Sequence, residues 1–280
     1  MIWSITGDVH RNYNNRFKYY TWQRNPNHAL IVLGDLGFNY LLDERDKDWK
    51  RGFCNKYDFQ LYAVRGNHEE RPQNIPGMQL VYDNNVKGYV YWEPDYPNIH
   101  YFRDFGEYEI NGYKILVLGG AYSVDKYWRI QTKTKENGWC GWFPEEQLND
   151  TEKTAAANLS KGKSYDFVLS HTCPISWEPT DLFLPIVDQS TVDKTMELWL
   201  EEIKSSFSWK VWLFGHYHAD RFERPHVEQF YEKTDTLDNI FDRWNKYDEI
   251  GELNWYIRKS PLFYNDQDCP HKVVEINGIF

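Results

Sequence analysis

The sequence has little cysteine, with four residues in 280 and no Cys-x-x-Cys pair. So few cysteines exclude a disulfide framework and a cysteine-rich zinc or redox module. No basic leader followed by an apolar run opens the sequence. The longest apolar runs fall far short of the roughly 20 residues that span a bilayer. We therefore expect a cytoplasmic protein with no membrane association.

The sequence also has fewer basic than acidic residues. Lys and Arg number 32 against 42 Asp and Glu, which gives a formal net charge of −10. Proteins that bind long nucleic acid usually carry a basic surface, so we do not expect that partner. Aromatic residues are abundant instead, at 18% of the chain, and this composition excludes a disordered protein.

Five short apolar runs recur along the sequence, and glycine or serine with a polar motif lies at or just beyond the end of each. The runs are residues 2–6, 29–33, 60–64, 165–169 and 209–214. Their length and composition favour buried strands. Helical patterns are found at about 12–25, 43–57, 144–159 and 190–206. This alternation predicts an α/β fold. Residues 107–110 and 113–118 predict an antiparallel hairpin, because Asn111-Gly112 between them is typical of a type I′ turn.

We expect a single domain over residues 1–280, with insertions at about 122–143 and 219–260. The first insertion contains three tryptophans: Trp128, Trp139 and Trp142. Two roles are open for them, stacking on a substrate or packing the insertion onto the body of the protein. We favour packing.

The motifs after the five runs bring imidazole, carboxylate and amide groups together. These residues are Asp8, His10, Asp35, Asn67, His68, His171, His216 and His218. Ligands of open α/β sheets bind at the carboxyl ends of the strands, so we expect these side chains at one edge. The ligand types suit two divalent cations such as Mn, Fe, Zn or Ni. Such a pair can clamp the attacking and leaving oxygens of a phosphoester.

In chain order the motifs read GDVH, GDLG, GNHE, SHTCP and GHYH. They resemble the five blocks of the calcineurin-like metallophosphoesterases. The second block lacks the Asp-Arg-Gly that follows it in protein Ser/Thr phosphatases, so the chain is more similar to small bacterial and phage-type members. The resemblance implies a four-layer αββα sandwich, with two mixed β-sheets flanked by helices.

The resemblance also implies a role for each metal-binding residue. The first metal would be held by Asp8, His10 and His218, the second by Asn67, His171 and His216, and both by Asp35. The ester would be hydrolysed by attack of a metal-bound hydroxide. Manganese is the metal we expect to support activity in vitro.

Three further residues have roles that the sequence leaves open. By resemblance, His68 would contact the phosphate and protonate the leaving oxygen, but it could instead only support Asn67. Arg11 and Arg65 are candidate substrate-binding residues, because a guanidinium can bind phosphate through two hydrogen bonds. Each could equally pair with a nearby carboxylate such as Glu69.

We therefore predict a metal-dependent phosphoric ester hydrolase that acts on a small molecule or a nucleotide, as a monomer or small homo-oligomer. Alternatives within enzymes are a phosphodiesterase or nuclease acting on cyclic or short nucleotides, and a protein Ser/Thr phosphatase. The alternative outside enzymes is a catalytically silent metal-binding interaction module.

Overall fold

The computed structural model describes residues 1–131, 141–183, 185 and 187–250. The chain divides into one compact unit at Met1–Phe241 and a second at Asp242–Phe280. Trp139 and the end of the second predicted insertion lie outside the described residues. The prediction of a single domain with two insertions therefore stays a prediction.

Seven strands form the first sheet. They are β1 (Ile2–Thr6), β2 (His28–Val32), β3 (Gln60–Ala63), β4 (Gln79–Asp83), β5 (Gly88–Trp92), β6 (Ile99–Phe102) and β13 (Thr234–Thr236). Their order is β13-β1-β2-β3-β6-β5-β4. Strands β1, β2, β3 and β6 pair in parallel, and the outer pairings are antiparallel. The sheet is therefore mixed, as predicted.

The second sheet is also mixed and has six strands. They are β7 (Phe105–Ile110), β8 (Tyr113–Leu118), β9 (Ser164–Ser170), β10 (Ser208–Phe214), β11 (Arg221–Arg224) and β12 (Val227–Gln229). Their order is β11-β12-β10-β9-β8-β7. Strands β7 and β8 form the predicted hairpin. Asn111 and Gly112 have φ values of 51° and 88°, and a type I′ turn requires positive φ at both positions.

Six α-helices lie among the described residues. They are α1 (Tyr13–Arg16), α2 (Glu44–Lys56), α3 (Lys126–Gln131), α4 (Asp150–Ser160), α5 (Thr195–Ile203) and α6 (Leu237–Ile250). Asp43 caps α2 by accepting a hydrogen bond from the Arg45 amide. Asn149 caps α4 in a capping box with Glu152. Both caps satisfy backbone amides that have no partner within the first turn of a helix. In the described part of the chain no helix is long and apolar enough to cross a membrane.

The predicted helix at 12–25 is mostly wrong, because only α1 forms there. Phe17 and Tyr20 stack with ring centroids 5.3 Å apart, and Tyr20 stacks on Trp22 at 4.4 Å. Trp22 in turn stacks on His28 of β2 at 3.8 Å. These aromatic rings pack against one another and the sheet through turns, and this packing overrides local helical preference.

The central strands of both sheets are buried on both faces. In β2, Leu30 and Val32 pack in a cluster with Phe53 of α2, whereas Ala29 and Ile31 are fully buried on the opposite face because strand side chains alternate. In the second sheet, Leu116 and Leu118 pack with Ala156 of α4 and Leu200 of α5, whereas Ile115 and Val117 are buried opposite them. Two mixed sheets flanked by helices result, which confirms the predicted fold class.

The buried side chain of His28 predicts how the stability of the first sheet depends on pH. It is 3% exposed, and its Nε2 lies 2.8 Å from Ser4 Oγ. Burial lowers the pKa of His28 to about 4, whereas an unfolded histidine titrates near 6.5. Between these values the unfolded chain binds the extra proton, so stability should fall as pH drops from about 6.5 to 4, by roughly 2–3 kcal/mol.

We expect urea unfolding from pH 7.5 to 4 to show a shallower loss of unfolding free energy in His28→Gln than in the wild type. Glutamine fills a similar volume and can bond Ser4, but it does not titrate. Parallel pH profiles for the two proteins would contradict this role of His28.

Candidate metal centre

Five parallel strands of the two sheets end at the candidate site. Asp8 and His10 follow β1, Asp35 follows β2, Asn67 and His68 follow β3, His171 follows β9, and His216 and His218 follow β10. The first three strands are neighbours in one sheet, and the last two are neighbours in the other. The structure therefore brings together all eight residues predicted from the motifs.

Sharp turns after the strands direct these side chains. His10, Asp35, His216 and His218 have φ values of 48°, 49°, 70° and 52°, in the left-handed region that few non-glycine residues adopt. Glycine is required at Gly66, because a Cβ there would lie 2.0 Å from Asp35 Oδ1. This close approach lets the turn after β3 pack against the carboxylate.

One group of potential ligands surrounds Asp8. Its Oδ2 lies 3.2 Å from His218 Nε2 and 3.9 Å from His10 Nε2, and these two nitrogens are 3.0 Å apart. Asp8 Oδ1 accepts a hydrogen bond from the His216 amide at 3.0 Å. Among the described residues no donor makes a well-formed hydrogen bond to the buried Oδ2. One carboxylate oxygen and two imidazole nitrogens therefore lie close enough together to hold one metal cation.

A second group surrounds Asp35. Its Oδ2 lies 3.6 Å from His171 Nε2 and 3.9 Å from His10 Nε2. Its Oδ1 accepts from the His68 amide at 2.9 Å. His171 Nε2 is also 2.9 Å from Asn67 Oδ1, and Nδ1 is 2.7 Å from the Leu33 carbonyl oxygen. Because that carbonyl can only accept, His171 donates through Nδ1 and directs Nε2 into the site.

The charges in this cluster favour a bound cation. The side chains of Asp8 and Asp35 are 0% and 2% exposed. Burial alone would raise both pKa values, but nearby histidines outweigh it, so the pKa of Asp8 is lowered and that of Asp35 lies well below its usual value. Burial likewise opposes protonation of His171, yet Asp35 and Asp8 raise its pKa to about 9. Two buried, ionised carboxylates require compensating positive charge, which protonated His171 supplies in part, and a cation bound here would take over that role and displace the His171 proton.

His68 lies beside these groups, with its side chain 17% exposed. Its Nε2 is 3.2 Å from Asn67 Nδ2 and 4.0 Å from Asp35 Oδ2. The Asn67 amide also donates to Ser123 Oγ at 2.8 Å, and this bond orients Asn67 Oδ1 toward His171. The sequence patterns did not indicate Ser123 as part of the site.

Arg129 is a second residue that the sequence analysis missed. It lies on α3, and its Nη2 is 3.4 Å from His68 Nε2. The segment before it, Gly119 to Lys126, follows β8, but no strand or helix pattern in 122–143 indicates that an arginine there faces the site.

The two predicted substrate-binding arginines occupy different environments. Arg11 lines the cavity at the site, and its guanidinium lies 4.7 Å from the ring centroid of Tyr40 and 5.2 Å from that of Trp49. Arg65 is 2% exposed, donates to Asp104 Oδ1 at 2.6 Å, and lies outside the cavity lining. The structure therefore argues against substrate contact by Arg65, because a buried ion pair holds its guanidinium.

The cavity over the site has a volume of about 710 Å³, a size typical of small-molecule sites. Six of the eight motif residues line it, and its other walls include Leu182, Phe183, Val187 and Val192. Trp128 and Trp142 are not among the described residues that line it. Their position gives no support for substrate stacking.

Comparison with known proteins gives a match to one protein family. The family model described as calcineurin-like phosphoesterase matches residues 4–220, whereas no curated protein matches the chain. A protein of unknown function from Aquifex aeolicus has a similar structure, with 12% identity, a TM-score of 0.36, and coverage of 86% of this chain and 98% of that chain.

Phosphopantetheinyl hydrolase from Mycobacterium tuberculosis is also similar in structure. It has 13% identity and a TM-score of 0.43, and the match covers 82% of this chain and 88% of the hydrolase. With TM-scores this low, neither structure supports a conclusion about activity. The family match spans all five strand-end motifs and confirms the predicted resemblance. The chain belongs to the calcineurin-like phosphoesterase family.

Proposed function

We propose that the protein hydrolyses phosphoric esters of small molecules or nucleotides at a pair of divalent cations. The main support is the arrangement of Asp8 and Asp35. The Oδ2 atom of each faces histidine Nε2 atoms from at least two different strand ends, at 3.2–3.9 Å. Two such groups, each centred on a buried carboxylate, suit two cations better than one.

The residues fit the ligand sets that the family resemblance implies. Asp8, His10 and His218 would hold one cation, Asn67, His171 and His216 the other, and Asp35 both. Asp35 Oδ2 lies at similar distances from His10 and His171, which supports its shared role. The His216 side chain lines the cavity, and its ring lies beside His171 with ring centroids 4.9 Å apart. Mn, Fe, Zn and Ni all accept these ligand types.

In the proposed hydrolysis, the bound cations and the side chains of the protein have different roles. Bound divalent cations would supply the positive charge that polarises water and neutralises phosphate. Asn67, fixed by Ser123, contacts the His68 ring, and Asp35 accepts from the His68 backbone amide, so that the ring stays beside the cavity.

In the structure, His68 Nε2 faces the N–H groups of Asn67 and Arg129 and accepts from them. When the leaving oxygen of the substrate takes the place of these donors, a protonated His68 would give its Nε2 proton to that oxygen. The attacking water releases one proton to solvent as its oxygen forms the new P–O bond. The ester P–O bond breaks, the alcohol leaves with the proton from His68, and a solvent proton restores His68.

A substrate panel tests this function. Chelator-treated protein should hydrolyse nothing, and added Mn²⁺ should restore hydrolysis of a nitrophenyl monoester, a bis-nitrophenyl diester or a cyclic nucleotide, with little action on a phosphopeptide. His171→Ala should lose the activity, because it removes a ligand. His28→Gln should keep it, because His28 lies outside the site.

The proposal fails if no ester is hydrolysed with Mn, Fe, Zn or Ni. Metal binding without hydrolysis would favour the catalytically silent module. Preference for the phosphopeptide would favour a protein phosphatase, and hydrolysis of the diester or cyclic nucleotide alone would favour a phosphodiesterase.

A further inference from the structure

We propose that Arg129 binds a non-bridging phosphate oxygen of the substrate and makes the site selective for phosphomonoesters over phosphodiesters. This inference rests on the proposed function and adds a substrate class to it. Arg129 lines the same cavity as the candidate ligands, and its Nη2 is 3.4 Å from His68 Nε2. It comes from α3, outside the five motifs.

The guanidinium of Arg129 is held on one side and free on the other. Nε donates to Asp125 Oδ1 at 2.7 Å, and Nη1 donates to Tyr40 Oη at 2.6 Å and to the Gly141 carbonyl oxygen at 3.1 Å. These three bonds use the donors of Nε and Nη1, out of five that a guanidinium carries. Within the described chain, the remaining donors on Nη2 contact only His68.

This anchoring presents Nη2 at a fixed position beside the metal ligands. The side chain of Arg129 is 15% exposed, so its orientation is set before a ligand arrives. His68 Nε2, the group next to Nη2, lies 3.2 Å from Asn67 Nδ2 and 4.0 Å from Asp35 Oδ2. A phosphate at the candidate cations would therefore lie next to a pre-oriented N–H donor, the kind of donor that binds phosphate strongly.

The number of non-bridging oxygens separates the two ester classes. A phosphomonoester has three, whereas a phosphodiester has two. Two cations and one arginine can each contact a different non-bridging oxygen only in a monoester. The monoester also carries the larger negative charge near neutral pH. Arg129 should therefore stabilise the monoester complex more than the diester complex.

The test compares two substrates with the same leaving group, nitrophenyl phosphate and bis-nitrophenyl phosphate, so that any effect through leaving-group protonation cancels. For Arg129→Met we expect kcat/KM to fall roughly 10–10²-fold on the monoester, the size of a lost charged hydrogen bond, and less than about 3-fold on the diester. Arg129→Lys retains the positive charge but not the planar pair of N–H donors. Its kcat/KM on the monoester should lie between the values of the wild type and Arg129→Met. Arg51→Met removes an exposed arginine of α2 and should change neither value.

A binding measurement separates failure of Arg129 from failure of the phosphoesterase function. By calorimetry on the Mn²⁺-loaded protein, Arg129→Met should bind inorganic phosphate roughly 10–10²-fold more weakly than the wild type, with unchanged metal content and a cooperative thermal transition that shows the variant to be folded. This result would support phosphate contact by Arg129 even if no ester were hydrolysed.

Several results would overturn the proposal. Equal losses on both esters with unchanged phosphate binding would mean that Arg129 only positions His68 or anchors α3. Wild-type protein that hydrolyses the diester better than the monoester would refute monoester selectivity and leave the phosphoesterase function standing. If Arg129→Met unfolds, the same comparisons on Arg129→Lys decide.

Discussion

Asp35→Asn is expected to lower turnover by roughly 10³-fold or more, the upper range seen when a preorganised electrostatic group is removed from an active site. The substitution keeps the shape of the side chain, so its Oδ1 can still accept from the His68 amide. It removes the charge that faces His10 and His171. Because Asp35 would serve both proposed cations, this loss should exceed the loss caused by removing any single terminal ligand such as His218.

Metal analysis and kinetics on the same preparation would check this expectation. Asp46→Asn is the matched control, since Asp46 is a buried carboxylate that accepts from the Leu41 and Leu42 amides outside the cavity lining. It should retain wild-type turnover. Near-normal turnover and metal content in Asp35→Asn would show that Asp35 is not shared between two cations.

His68→Ala is expected to lower turnover on an alkyl phosphate by about 10²–10⁴-fold, the range for a general acid. Both metals should stay bound, because His68 belongs to neither of the ligand sets that the family resemblance implies, and its Nε2 faces the N–H donors of Asn67 and Arg129. The deficit should shrink on a nitrophenyl ester, since that leaving group departs without protonation. His68→Gln, which retains a polar side chain beside Asn67, should show the same dependence on leaving group.

The comparison between leaving groups tests the role of His68. Equal losses on alkyl and nitrophenyl esters would assign His68 to phosphate positioning. A fall in bound metal in both variants would mean that His68 supports a ligand such as Asn67. Either result would remove the proton-transfer step assigned to His68 Nε2.

The central strands could be predicted because each is a short, continuous run of apolar residues, a local pattern typical of a buried strand. Strand β1 matches the predicted run at residues 2–6, and β2, β3, β9 and β10 differ from their predicted runs by a residue at one or both ends. Strand β4 was missed because Leu80 and Tyr82 are half exposed, so it lacks the apolar run of a buried strand. It forms by antiparallel pairing with β5 at the edge of the sheet, which no local pattern reveals.

The residues of the site also divide into those that a local sequence pattern reveals and those that depend on contacts with distant residues. The eight motif residues could be identified because each lies a few residues after the end of a buried strand, and the ends of neighbouring parallel strands converge. Arg65 and Arg129 depend on distant partners instead. Arg65 is held by Asp104, 39 residues away, and Arg129 by Tyr40, 89 residues away. Sequence patterns could not show that the first is buried in an ion pair and that the second faces the cavity.

A metal titration tests the dinuclear phosphoesterase centre most directly. Chelator-treated protein at a concentration well above its metal dissociation constants would receive Mn²⁺ in steps, with hydrolysis of its fastest ester and bound metal measured at each step. We predict that activity rises until two equivalents per chain are bound and then stays constant. Full activity at one equivalent, or two bound equivalents without hydrolysis of any ester, would contradict the proposed centre.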